Sequence, residues 1–168
     1  MTDLLDPLAK TALWTASMRA REHNRSDRLF SDPLAQMLAG DEGLQIMQQF
    51  EGDVQQGLED PALAVRTRFF DDELARLAGI GIRQFVLVAA GMDTRAFRLS
   101  WQNDTTVFEL DRPALLSLKE RVMDCMGAKA RCQRILIGVD LLADWIKPLH
   151  TSGFDHRLPT VWLVEGLL

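Results

Sequence analysis

A chain of 168 residues that is 47% hydrophobic and 26% charged has the composition of a globular protein with one sizeable core, and a single domain is expected. Its net charge of −5 provides no basic patch to displace counterions, so neither nucleic acid nor an anionic membrane surface is an expected partner. MTDLLDPLAK lacks the basic start and apolar run of a signal peptide, and no stretch approaches the roughly 18 apolar residues of a membrane span.

A cytoplasmic protein with reduced thiols is the expectation. Cys125 and Cys132 have no histidine close by in sequence, which is no metal-site spacing, and no metal is expected.

In chain order, Leu8 to about Glu22 carries a helical stripe through Leu13, Ala16 and Ala20 and through Leu8, Ala12 and Met18. SDPLAQMLAG predicts a second short helix, with Asp32 as N-cap, Pro33 at its first position and Gly40 as a stop. Asp41 to Pro61 reads as polar and irregular apart from a turn or two at QIMQQF. PALAVRTRFFDDELARLAG predicts a helix with Leu63, Phe69, Phe70, Leu74 and Leu77 as its apolar set and Gly79 as its C-cap.

The run Phe85 to Ala90 is short, apolar and bounded by turn residues, as a strand buried on both faces should be. TTVFEL, ending at Asp111, reads as a second strand. Pro113 then opens a helix with Leu115, Leu118 and Val122 on one face and Gly127 at its end. RCQRILIGVDL and TVWLVEGLL supply two further short apolar runs, each followed by an acidic residue. This alternation predicts an α/β fold, a doubly wound parallel sheet with leading N-terminal helices. We expect residues 1–78 as a helical lead-in packed on a core formed by 79–168, one structural domain overall. The last strand is reached with no following helix. A truncated or split enzyme is therefore expected, its open sheet edge inviting self-association.

In open α/β sheets ligands bind beyond the carboxyl ends of the strands. Gly91 and Asp93, Asp111, Asp140 and Glu165 follow the four proposed strands in turn. Any one of these acids, taken singly, has an equally good reading as a cap for the next element. The turn AAGMDTR departs from the GxGxxG dinucleotide fingerprint, with Ala89 in the place of the first glycine and Thr94 in that of the last. Asp93 would also repel a pyrophosphate, which disfavours NAD. A ligand with a ribose and no phosphate fits better, because Asp111 lies 20 residues after Gly91, where a carboxylate accepts hydrogen bonds from vicinal hydroxyls. S-adenosyl-L-methionine has that ribose, and Arg66, Arg68 and Arg19 are the candidate cations for its carboxylate.

RTRFFDD, VLVAAGMDTRAFRL, TVFELDRPALLSLKERV, GVDL and VWLVEGLL, with TALWTASMRARE and DRLFSDPLA before them, resemble the leucine carboxyl methyltransferase family in order and spacing. The resemblance covers nearly the whole chain, closest in its bacterial S-adenosylmethionine-dependent branch. It implies a Rossmann-like sheet of the class I methyltransferase type, incomplete in its C-terminal half, since members continue past EGLL. Carried over, it implies that Arg66 holds the methionyl carboxylate, aided by Arg19, and that the turn from Ala89 to Gly91 passes the methionyl and ribose parts. Asp111 would take the ribose hydroxyls, Asp140 and Leu141 the adenine region and Glu165 the amino end, while Asp93 and Arg95 fix the turn. The acceptor would be a carboxylate or hydroxyl oxygen of a small molecule.

No catalytic residue is assigned, because His23, His150 and His156 are expected at the surface. Three readings follow: a donor-binding O-methyltransferase, a catalytically inactive binding or assembly module, and, disfavoured by the missing glycines, an NAD-dependent oxidoreductase.

Overall fold

The computed structural model describes residues 7–52 and 61–166. In chain order the elements are α1 (Pro7–Asn24), α2 (Ala35–Gly52), α3 (Ala62–Gly79), β1 (Gln84–Val88), α4 (Arg95–Arg98), β2 (Thr106–Asp111), α5 (Pro113–Cys125), β3 (Gln133–Gly138), α6 (Ile146–Thr151) and β4 (Thr160–Val164). The chain divides into two compact units, Met1–Asp71 and Asp72–Leu168, with the boundary inside α3.

In the first unit α1 packs against α2. Of the residues read as the stripe, Leu13, Ala16 and Ala20 are buried, joined by Ser17, while Ala12 and Met18 are half-buried. Three of those four buried side chains are small, and they face a helix that is small where the two meet. A Cβ placed on Gly43 would lie 2.6 Å from the carbonyl oxygen of Leu13, so nothing larger than glycine fits.

Two expectations are corrected here. Gly40 does end a helical piece, with φ 56° and ψ −172°, but a second piece starts at once. The stretch from Asp41 is therefore helical as far as Gly52; residues 53–60 lie outside the described part. Asp32 is buried beside the start of α2 and its Oδ2 accepts Arg19 Nε at 2.9 Å, while the helix itself begins at Ala35.

In α3 the buried line is Thr67, Asp71, Leu74 and Ala78. Phe69, read as core, is 59% exposed, because the i, i+4, i+7 spacing of the buried face runs through polar residues that a hydrophobic count passes over. The cap also differs. Gly81, not Gly79, takes the left-handed conformation at φ 103°. Its amide donates to Ala78 O while Ile82 N donates to Leu77 O, a Schellman closure. The same pair of bonds ends α5 at Gly127 and α6 at Gly153. Each helix that leads into β1, β3 or β4 is thus stopped by a glycine in the left-handed region.

The second unit is built on a four-stranded sheet in the order β3-β2-β1-β4, every pair parallel. Alternation puts Val86, Phe108, Leu110 and Ile137 on one face, where Leu149 of α6 completes the core and Trp145 and Phe154 pack around it. The opposite face carries Phe85, Leu87, Val107 and Leu163. Glu109 lies on this face too, and Lys119 of α5 meets it at 2.7 Å with both side chains 0% exposed. Helices therefore cover both faces, and the chain has the Rossmann-like doubly wound α/β fold.

The buried face of α5 is Leu115, Leu116, Lys119 and Met123. This corrects the expected Leu118 and Val122, since the helix turns to bring an amine onto Glu109. Arg134 of β3 completes the cluster, donating to Glu109 from Nε (2.9 Å) and Nη2 (2.8 Å) and to Glu120 from Nη1 (2.6 Å).

Replacing Gly43 by alanine is expected to lower stability by about 1–3 kcal/mol through overpacking against the Leu13 carbonyl, read as a fall in the denaturation midpoint. Burial, reinforced by the charge of Glu109, pushes the Cys132 thiol up to about 12, whereas Cys125 is exposed. At pH 8 an alkylating reagent should label Cys125 at least about tenfold faster than Cys132, because the thiolate is the reacting form. Equal rates by peptide mass analysis would contradict this burial.

Candidate functional site

A parallel sheet delivers the carboxyl ends of all its strands to one edge, and the strand order reverses direction between β1 and β4. β1 leaves the sheet at Val88 into a turn with unusual backbone. Ala89 has φ 55°, a left-handed conformation that glycine adopts more readily. The turn thus keeps the shape of a glycine turn with an alanine in it. Three bonds hold it: Ala90 N to Leu110 O (3.0 Å), Gly91 N to Asp111 Oδ2 (2.7 Å) and Asp93 N to Ala90 O (2.8 Å).

Asp111 at the end of β2 is half-buried. Its Oδ2 accepts the Gly91 amide and its Oδ1 accepts the Arg112 amide at 2.7 Å. With one bond on each oxygen it keeps acceptor capacity, since a carboxylate offers about four lone-pair sites. Its backbone carbonyl accepts Val139 N at 2.9 Å, tying the end of β3 to the end of β2. Asp140 follows, exposed, with Oδ1 accepting the Leu142 amide at 2.9 Å. Leu141 is half-buried and packs against the sheet core.

On the other side of β1, Asp93 Oδ1 accepts the Arg95 amide at 2.7 Å and leads the chain into α4. The Arg95 guanidinium donates from Nη1 to Asp93 Oδ2 at 2.5 Å and to Glu165 Oε2 at 2.8 Å. Ala89, Gly91, Asp111, Asp140, Leu141 and Glu165 are thus gathered on one edge by a run of bonds extending from β4 through β1 and β2 to β3. The acids on this edge work as turn and bridge groups. None of them occupies the N-cap positions of α4 and α5, which are Thr94 and Arg112, although Asp93 satisfies the first amide of α4.

Arg19 and Arg66 belong to the first unit: Arg19 is buried on Asp32, and Arg66 is exposed on α3. His150 and His156 both precede β4, with ring centroids 6.0 Å apart, and His23 meets Ser31 Oγ at 3.2 Å. Among the described residues no group of three or more His, Cys, Asp or Glu is placed to hold a metal ion, and no helix is long and apolar enough to cross a membrane.

Sequence reasoning missed the bridge from Arg95 to Glu165. The local signal, an acid and a base two apart in DTR, was visible; the partner 70 residues away was not. The cluster of Glu109, Lys119 and Arg134 was missed as well, although a glutamate in the middle of TVFELD marks it.

Relatives place these features in context. The chain is 43% identical over 174 residues to a protein of Saccharopolyspora erythraea named "Putative S-adenosyl-L-methionine-dependent methyltransferase", covering 99% of this chain and 59% of the relative. A Frankia alni protein of the same description is 46% identical over 160 residues, covering 94% of this chain and 57% of the relative. One from Mycobacterium tuberculosis is 40% identical over 179 residues, covering 99% and 58%. The chain therefore spans a little over half the length of these curated relatives. The family model for leucine carboxyl methyltransferase matches residues 12–168, and the chain belongs to the leucine carboxyl methyltransferase family.

Proposed function

We propose that the chain binds S-adenosyl-L-methionine along the carboxyl edge of its sheet, in the cytoplasm, as the donor part of a methyltransferase acting on a carboxylate or hydroxyl oxygen of a small molecule. One observation carries the reading. Asp111 is fixed beside the β1 turn by the Gly91 amide at 2.7 Å and retains acceptor capacity there, which suits a ribose diol. The glycine-type turn at Ala89 leaves the backbone in the shape that lets a nucleoside approach.

The remaining assignments are supported by the resemblance: Asp140 and Leu141 to the adenine, Glu165 to the amino end, and Arg66 with Arg19 to the carboxylate. When bound, the sulfonium supplies an activated methyl group; the protein's contribution to in-line transfer is mainly to hold donor and acceptor in line. A carboxylate acceptor needs no proton removed, whereas a hydroxyl needs a base. His150 and His156 precede β4, at the end of the sheet away from this edge, so neither is placed to serve as that base.

A second reading rests on β4. Among the described strands it pairs only with β1, and Trp162 and Val164 are 45% and 44% exposed on it. A second copy of the chain laid antiparallel along this strand would satisfy its outer backbone groups and cover both side chains. The chain would then be an assembly module, with or without turnover.

Calorimetric titration of the folded chain is expected to give micromolar binding of S-adenosylmethionine and of its demethylated product, and none of NAD. Asp111→Ala should weaken the first two by about 1–3 kcal/mol; an unchanged affinity would remove the ribose assignment. For the second reading, sedimentation should find a dimer that Trp162→Lys converts to a monomer. A wild-type monomer at micromolar concentration excludes edge pairing.

A further inference from the structure

Arg95 opens α4 with 4% of its side chain exposed. A guanidinium so far out of water needs anionic partners, and it draws them from two separate parts of the edge. Asp93 comes from its own turn and already holds the Arg95 amide, so carboxylate, turn and guanidinium form one local unit. Glu165 comes from the end of β4, 70 residues later. Arg95 is itself anchored from below: its carbonyl accepts Trp101 Nε1 at 2.8 Å, and the Trp101 ring stands edge-on to Phe85 of β1 at 4.8 Å.

A rigid cation thus reaches across the crevice between β1 and β4 and grips a carboxylate on the far side. Glutamate left to itself has three side-chain torsions to freeze when it meets a ligand, and a grip on one oxygen removes most of that freedom beforehand. Asp93 shares the same guanidinium, so Arg95 alone does not neutralise Glu165.

We infer that Arg95 is a positioning residue of the donor site, holding Glu165 so that its carboxylate meets the ammonium of the methionyl part. This rests on the reading of the edge as the donor site. It goes beyond fixing the turn, because it assigns to Arg95 an effect on one end of the ligand only.

The test uses the full chain and two ligands, S-adenosylmethionine and 5′-methylthioadenosine, which keeps the adenosine and the sulfur, the latter as a neutral thioether in place of the sulfonium, and lacks the amino-acid part. Affinities are measured for wild type, Arg95→Met, Glu165→Gln and the double variant. Arg95→Met should weaken S-adenosylmethionine roughly tenfold and methylthioadenosine less than about twofold. The double variant should be no worse than Glu165→Gln alone, as for two residues acting through one contact.

Equal loss of both ligands, or additive losses in the cycle, overturns the inference and leaves Arg95 a turn residue. If Arg95→Met does not fold, with two carboxylates left without their cation, Arg95→Lys replaces it. The same selective loss, smaller in size, is then expected, and equal loss of both ligands again overturns the proposal. A wild-type chain that binds neither ligand removes the donor-site reading itself, and the role of Arg95 with it.

Discussion

All four strands of the sheet run parallel, and most of what is distinctive in the second unit follows from that constraint. Parallel neighbours cannot be joined by tight turns, so each connection must leave at one edge, cross a face and re-enter at the other. Re-entry is managed by the glycine-closed ends of α3, α5 and α6, where Gly81, Gly127 and Gly153 reverse the chain with the last helical carbonyls satisfied. Exit takes place at the opposite edge, and there the loops make bonds to one another: Gly91 to Asp111, Val139 to Asp111 and Arg95 to Glu165. The candidate edge is thus a consequence of chain direction before it is a matter of chemistry.

The face beneath α5 shows how a charge can serve the same architecture. Glu109, in the centre of β2, is wholly buried, and a lone carboxylate there would be prohibitively costly. Lys119 and Arg134 both bond to it, and Glu120 balances the excess positive charge from a position 38% exposed. Such a cluster adds little to stability compared with apolar residues of the same volume. Removing one member strands the others, at about 3–5 kcal/mol. Its contribution is to orientation: α5 can sit on the sheet in only one rotation that places Lys119 on Glu109. Arg134 also lies 4.8 Å from the Phe97 ring, linking α4 to the same arrangement.

The extent to which this was legible in the sequence follows from the range of each interaction. The strands stood out because each is a short apolar run between turn residues, a signal that local residues carry by themselves. The rotation of α5 did not, because hydrophobic periodicity is blind to a buried lysine whose reason for burial lies in another strand. Gly79 and Gly81 are both plausible stops in LAGIGIR, and only the backbone bonds decide between them. Phe69 looks like core by composition, but the helix face that is buried begins with Thr67 and Asp71. At the edge, the acids after each strand were readable as positions. Their employment was not, since Arg95 and Glu165 meet only after the sheet has formed.

Ala89 shows why a departure from a motif need not be a departure from its geometry. Glycine in such a turn does two things: it permits a left-handed backbone, and it lets a pyrophosphate come close. Alanine forgoes the second and can be held in the first, at about 1–2 kcal/mol of strain. Here φ is 55°, and the turn is held by two backbone bonds and by the Gly91 amide on Asp111 Oδ2. Each such bond contributes about 0.5–1.5 kcal/mol, so together they offset the strain. Asp93 adds a second argument against a phosphate in the proposed site, though a weaker one than its charge suggests, because Arg95 is already bonded to it. What remains is a turn of glycine shape with Asp111 bonded to it and keeping acceptor capacity, features that support the proposed nucleoside donor over a dinucleotide.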